Sequence, residues 1–348
     1  MKTISHENLK AIVFRLFSAA GCNDHEAGRI AHYLVLSNLV GHDSHGVIRV
    51  PFYLEYIRKG MIAVNQSMRA VFATDSLAVV DGNGGFGQVI GEQATQLGID
   101  MAAKTGLAAI ALRNTGHLGR IGDWPTRAAA AGMVSFHFVN TNGFGLLAAP
   151  FGGIDRRLSA NPIAAGVPVA DGPDIILDIS TCAIAEGKLK VAKNSGKRVP
   201  EGCIIDHEGR PTTNPEDFYA DPPGAILPFG AHKGYGLSVI AEMFAGALAG
   251  GGCSDPANNE RLLNGMFSIY VDPQRIPHEL GFAEDVSRFI RYVKGSRRTP
   301  GVDEILMPGE LEERTRDHRT QHGIAIDDTT WGAIVESCKS IGISAEVT

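Results

Sequence analysis

Apolar positions recur at helical spacing through the first forty residues. Leu9, Ile12, Val13, Leu16 and Phe17 share one face of residues 5–20, and Ala27, Ile30, Ala31, Leu34 and Leu36 share one face of residues 25–40. Ser5, with Glu7 in the first turn, opens the first helix, which ends at Gly21; Asn23-Asp24 opens the second, which stops at Gly41. A third helix is predicted from Val47 to Lys59, with Arg49, Tyr53 and Tyr56 on one side. Beyond residue 76 the pattern changes. Strands are predicted at Leu77–Asp81, Leu107–Leu112, Met133–Val139, Ala164–Ala170, Ile175–Thr181 and Met266–Val271. Helices are predicted at Gln88–Lys104, Pro125–Ala131, after Thr181 through Lys190, and at Ser238–Ala249. The last is almost wholly apolar and is expected to be buried on most sides. Asn140–Gly143 reads as a turn, and residues 194–224, rich in Gly, Pro and Asn, as a surface excursion. Helices over Glu284–Lys294, Leu311–Gln321 and Trp331–Ile341, the last capped by Asp327 or Asp328, close the chain.

Composition narrows the function classes. At 348 residues, with 44% hydrophobic and 20% charged residues, the chain has the make-up of a globular protein large enough for two domains. A net charge of −6 argues against a nucleic-acid partner, which calls for a basic stripe. Five scattered cysteines without a C-x-x-C pair fit a reducing, cytoplasmic setting better than a disulfide framework. Residues 11–22 end in a lipobox-like Ala-Ala-Gly-Cys, but Arg15 interrupts the apolar run and an amphipathic helix is the better reading. Met243–Gly252 is apolar but far short of the ~20 residues that span a bilayer, so no membrane anchor is expected.

The candidate chemistry begins at Gly41-His42-Asp43-Ser44-His45-Gly46-Val47-Ile48-Arg49-Val50-Pro51-Phe52-Tyr53. His45 can exchange a proton near neutral pH, and Arg49 can hold a carboxylate with two prongs. A capped turn with a solvated helix face would use the same residue types. A second cluster, Arg113-Asn-Thr-Gly-His117-Leu-Gly119-Arg120-Ile121-Gly122-Asp123, sits at a strand-to-helix junction and suits a backbone cradle, with His117 facing His45 across a cleft. His137, isolated in an apolar strand, reads as a core residue. The strand that ends in Asp178-Ile-Ser180-Thr181 offers polar groups to a cofactor or to a histidine that needs orienting. His232 and Lys233, in a glycine-rich helix start, suit an anionic ligand. Gly82-Asn-Gly84-Gly85-Phe-Gly87 matches the G-x-G-x-x-G pattern, but the following strand ends in Arg113-Asn114 and not in an acid.

In the order GHDSHGVIRVPFY, RNTGHLGRIG, ILDIST, HKGYGL and MPGE, these motifs resemble the NAD(P)-dependent malate and L-lactate dehydrogenases that are unrelated to the Rossmann-type enzymes of the same names. The resemblance covers nearly the whole chain and points to the branch acting on general 2-hydroxycarboxylates. It implies an α/β fold with a non-Rossmann, mixed-sheet cofactor domain and a helical domain built from both chain ends. The corresponding boundaries are residues 1–72, 73–284 and 285–348. It implies a homodimer, NAD or NADP as cofactor with NAD favoured, a small 2-hydroxy or 2-oxo acid as substrate, and no metal. Carried over by residue, His45 is the proton donor with Ser44 beside it, Arg49 holds the substrate carboxylate, and His117 falls where some branches place a proton acceptor. Asp178 joins this catalytic set. Cofactor contacts fall on Gly119, Arg120 and Ile121, on Ile176, Leu177, Asp178, Ile179 and Ser180, on His232 and Lys233, on Asn264, and on Gly309 and Glu310. Ala231 replaces a glycine common in the family, and Met307 a branched aliphatic residue; neither change is expected to matter. Two other readings stay open at this point: a Rossmann-type dehydrogenase using Gly82–Gly87, and a metal-dependent hydrolase or lyase using His42, His45 and His117.

Overall fold

The computed structural model describes residues 1–255, 257 and 261–345. A short strand β1 (Lys2–Ile4) leads into α1 (His6–Ala19) and α2 (Asp24–Leu39). Their N-caps are Ser5 and Asn23, whose side chains accept the backbone N–H of Asn8 and Glu26. The predicted Val47–Lys59 helix is shorter than expected. Two 3-10 turns, Asp43–His45 and Val47–Arg49, precede α3 (Val50–Arg58), because Pro51 suits only the first turn of a helix.

The central part is one sheet with helices packed on it. In chain order it runs β2 (Arg69–Ala73), β3 (Leu77–Asp81), α4 (Gly87–Thr105), β4 (Leu107–Thr115), α5 (Asp123–Ala130), β5 (Val134–Gly143), β6 (Ile163–Val167), β7 (Ile175–Ile179) and α6 (Glu186–Asn194). Residues 194–224 carry more regular structure than their composition predicts. Strands β8 (Ile204–Ile205) and β9 (Pro211–Thr212) and helix α7 (Pro215–Phe218) lead to β10 (Ala225–Ile226), and the three strands form a small sheet over Phe218 and Leu189. Then come α8 (His232–Ala241), continued as a π-helix over Glu242–Leu248, β11 (Leu262–Val271), α9 (Phe282–Lys294), α10 (Glu310–His322), β12 (Ile324–Ile326) and α11 (Asp328–Ile341).

Seven strands form the main sheet, in the order β2-β3-β4-β11-β5-β6-β7. Only β3 and β4 pair in parallel among the described strands; the other neighbours are antiparallel. A doubly wound parallel sheet is therefore absent, and with it the Rossmann reading. The expected turn at Asn140–Gly143 is strand: β5 continues through it, paired with Leu262–Gly265 of β11. One core joins the two chain ends: Leu9, Leu16, Ile30 and Val50 pack with Ile324, Ile334 and Cys338, while β1 pairs with β12. A second core lies between α4, α5 and the sheet around Trp124 and Tyr270. The Ser238–Ala249 segment buries one face only; Ile240, Met243 and Leu248 are exposed on this single chain. No helix among the described residues is long and apolar enough to cross a membrane.

Candidate active site

The turn between α2 and α3 is braced from both ends of the chain. Asn38 donates to Asp43 at 2.6 Å and accepts the Val47 N–H at 2.8 Å, while Arg319 of α10 reaches Asp43 at 2.7 and 3.1 Å. On this frame the Ser44 hydroxyl lies 3.0 Å from His45 Nδ1. Arg49 donates its Nε to the Ser44 carbonyl at 2.7 Å, which fixes the guanidinium and leaves its terminal nitrogens without a partner among the described residues.

His117 enters from the opposite side, on the loop between β4 and α5. Its Nδ1 lies 2.7 Å from the Tyr53 hydroxyl, which accepts from Gln88 Nε2 at 3.1 Å and so directs its own hydrogen at the imidazole. The rings of His45 and His117 stack at 5.6 Å between centroids, 17° from parallel. Each is anchored through Nδ1, so both Nε2 atoms are left for a ligand. Burial, followed by the Arg49 and His117 charges, holds His45 well below its usual range; burial and Arg49 bring His117 down to about 3. Burial pushes the Tyr53 phenol up to about 12, so it remains a donor. Two neutral imidazoles beside a free guanidinium can exchange a proton with a small anion.

Arg120 lies deeper, 4% exposed, and is clamped by Asp123 at 2.7 and 2.8 Å. Burial opposes its charge, but Asp123, Asp178 and Glu312 outweigh burial and raise its pKa. Asp178 does not orient either imidazole, contrary to one expectation: its Oδ2 accepts the Gly122 N–H at 2.8 Å, beside Arg120. His42 turns away from His45 to Glu312, at 3.3 Å. Among the described residues no three His, Cys, Asp or Glu side chains could hold a metal ion together, so the metal-dependent reading has no geometric support.

The other expected contacts are spread over β7, α8, α10, β11 and the loops beside them. Strand β7, from Ile175 to Ile179, is the edge of the sheet, and the Pro308 carbonyl accepts from the Ile176 N–H at 2.9 Å, which brings Gly309 against the strand. Glu310 pairs with Lys294 and accepts the Met307 N–H. His232 and Lys233 are exposed in the first turn of α8. Ala231 before them has φ +55, a region that favours glycine, so this departure from the family pattern does matter locally. Beside Ser180, a cavity of about 510 Å³ is lined by Ile179, Cys182, Ile184, Lys188 and Arg198. A larger one, about 750 Å³ by Pro168, Pro273 and Phe282, contains none of the expected site residues. Gly119 and Ile121 flank Arg120 on the loop. Asn264 is 4% exposed and uses both ends of its amide within the protein.

Sequence reasoning missed Gln88, Asn38, Glu312 and Arg319. Each lies on a helix; Gln88, Glu312 and Arg319 act across 35, 270 and 276 residues, which no local pattern reveals, while Asn38 braces a turn only five and nine residues further on.

The cleft with its paired imidazoles lies on a mixed, non-Rossmann sheet. The chain belongs to the malate/L-lactate dehydrogenase family, whose sequence profile matches residues 4–335. It is 39% identical over 350 residues to hydroxycarboxylate dehydrogenase B of Escherichia coli O157:H7, covering 98% of this chain and 94% of that protein. It is 35% identical over 324 residues to an L-lactate dehydrogenase of Cupriavidus necator, covering 91% and 92%. The sulfolactate dehydrogenase structure from Methanocaldococcus jannaschii superposes with a TM-score of 0.89 at 32% identity, covering 99% of this chain and 98% of that one.

Proposed function

We propose that the protein interconverts a small 2-hydroxy acid and its 2-oxo counterpart, with NAD or NADP as the hydride carrier and His45 as the proton-exchanging group. The observation that carries this is the pair of parallel imidazoles, each tied through Nδ1, beside an Arg49 whose terminal nitrogens have no partner among the described residues. In the oxidative direction the hydroxyl proton passes to Nε2 of neutral His45 while the carbon loses its hydrogen as hydride, leaving the 2-oxo acid. Arg49 clamps the carboxylate, and His117 orients the reacting oxygen from the other side. The incoming carboxylate also offsets the Arg49 charge that disfavours imidazolium. Protonated His45 is thereby stabilised when substrate is present, as the reductive direction needs.

The donor set fits a dinucleotide. Lys233 and the first turn of α8 suit phosphate. The edge strand β7 and the cavity with Lys188 and Arg198 offer an apolar wall beside cations. Ile176 to Ser180, Gly119 to Ile121, His232, Lys233, Gly309 and Glu310 are the residues we assign to holding it, with NAD favoured. When bound, the nicotinamide accepts or supplies the hydride. A homodimer is part of the same reading, supported by the exposed Ile240, Met243 and Leu248. So is a cytoplasmic location, which the five free cysteines suit.

The test is purified protein with a panel of 2-oxo acids and NADH or NADPH, followed by nicotinamide absorbance. Consumption with at least one small 2-oxo acid is expected; none across the 2-oxo counterparts of malate, lactate and sulfolactate would reject the reading.

A further inference from the structure

Two departures from regular structure meet behind the His117 loop. Strand β11 carries a bulge against β4 between Asn264 and Met266. The helix that begins at His232 relaxes into a π-helix from Glu242. Bulges and π-turns both re-aim side chains, and both concentrate near functional sites. They touch at Gly265, where a Cβ would collide with the Ala245 carbonyl of the π-helix.

Each defect delivers one polar side chain to the interior. Glu242, 4% exposed, projects a carboxylate that accepts from Asn140 Nδ2 at 3.0 Å, Asn161 Nδ2 at 2.9 Å, and the Ser254 N–H and hydroxyl at 2.9 and 2.6 Å. The Asn140 carbonyl accepts from Asn264 Nδ2 at 3.0 Å. Asn264 Oδ1 in turn accepts the N–H of Leu118 at 2.9 Å. The line therefore runs from a buried carboxylate through two asparagines to the residue next to His117. On its other side the His117 carbonyl abuts Gly87, and its ring is held by Tyr53.

We propose that Asn264 and Glu242 are positioning residues for His117, and that Asn264 acts through the loop amide and not through cofactor. The reason is geometric. Both ends of the Asn264 amide are engaged inside the protein, Nδ2 with Asn140 and Thr141 and Oδ1 with Leu118. A ring that must stay stacked on His45 and bonded to Tyr53 depends on where its backbone is fixed, and a shift of about 1 Å in such a group can lower turnover by ~100-fold. A buried carboxylate with several donors is a rigid anchor, because releasing any one donor leaves a charged group under-satisfied.

The proposal rests on the role given to His117 above, and a double-mutant cycle separates the two. Asn264→Ala, Glu242→Gln, His117→Ala and the Asn264→Ala/His117→Ala pair are compared for kcat per folded protein and for binary cofactor Kd by nicotinamide fluorescence. Asn264→Ala is expected to lower kcat at least tenfold with cofactor Kd within about twofold. Glu242→Gln, which keeps every heavy-atom position and reads the same line should Asn264→Ala not fold, should lower kcat roughly three- to tenfold. In the His117→Ala background, Asn264→Ala should add less than about threefold. A low kcat in His117→Ala with wild-type kcat in Asn264→Ala and Glu242→Gln overturns the positioning role alone. Wild-type kcat in His117→Ala removes His117 from the reaction and the relay with it. A tenfold weaker cofactor Kd with unchanged kcat in Asn264→Ala returns that residue to the cofactor.

Discussion

Two glycine-rich junctions from strand to helix lie side by side in this molecule and have opposite characters. Gly82–Gly87, between β3 and α4, is closed on its own surroundings. A Cβ on Gly85 would lie 2.7 Å from the Gln66 Cβ, and one on Gly87 would run into the His117 carbonyl. Its acid, Asp81, is taken by Arg113 and Asn114 at 3.1 Å each. The junction at Gly116–Gly122 instead turns His117 toward a cleft. The glycine pattern is the more familiar at the first, yet there it only lets chain segments approach closely. Gly116 and Gly122 are packed just as closely, a Cβ there meeting the Gly85 carbonyl and the Asp178 carboxylate at 2.9 Å. What separates the junctions is that the second also carries His117, stacked on His45.

The largest effect belongs to the open side. His45→Asn is expected to lower turnover by about 10²–10⁴-fold, the usual worth of a positioned proton-transfer group, with cofactor affinity retained. Steady-state kinetics with a cofactor titration checks this, and turnover within threefold of wild type would shift the chemistry to His117. The closed side should respond in stability. For Gly87→Ala the displaced His117 carbonyl should destabilise the fold by about 1–3 kcal/mol, read as a lower urea midpoint, with cofactor Kd little changed for the folded fraction. Specific loss of cofactor binding without loss of stability would make that glycine run a nucleotide loop after all.

Acid should act on both the core and the cleft. Burial brings His137 to about 3 and His32 to about 4, and His45 and His117 are also depressed from 6.5. The unfolded chain therefore binds more protons than the native one below pH 6.5. Stability present above that pH is lost as it falls toward 4. The slope is about 1.4 kcal/mol per pH unit for a fully buried group such as His137, and less for the two that face the cleft. Urea midpoints at pH 7.5 and 5.5 should differ measurably; equal midpoints would mean that these histidines titrate normally in the fold. The smallest effect concerns a third turn. Ala231→Gly should stabilise by about 1 kcal/mol, because φ +55 strains an alanine; a lower thermal midpoint would show that the strain is illusory.

Much of the frame was legible because local chemistry decides it. Ser5, Asn23 and Asp327 cap their helices as their side chains suggest. The sequence marked His45 and Arg49 as candidates because their turn packs several polar types together. Their partners were not. Tyr53 and His117 are 64 residues apart, and Asp43 and Arg319 276 apart, so only the fold brings them together. Asn140 and Asn142 looked like a turn because asparagine favours turns, but here both lie in β5 and donate to the Gly251–Gly252 carbonyls. Glu242 did leave a trace: it is the one acid within the apolar run Ser238–Ala249.

On the function proposed above, the cleft selects an anionic 2-hydroxy acid through Arg49 and works on its hydroxyl through His45. The most direct measurement is kcat/KM for a preferred 2-hydroxy acid against its neutral amide, in wild type and in Arg49→Lys. The amide removes the negative charge that Arg49 grips, so wild type should favour the acid by about 10–100-fold. Lysine keeps the positive charge but offers no two-pronged grip, so Arg49→Lys should reduce this preference roughly tenfold. Equal turnover of acid and amide by the wild type, or an unchanged preference in the variant, would contradict the claim.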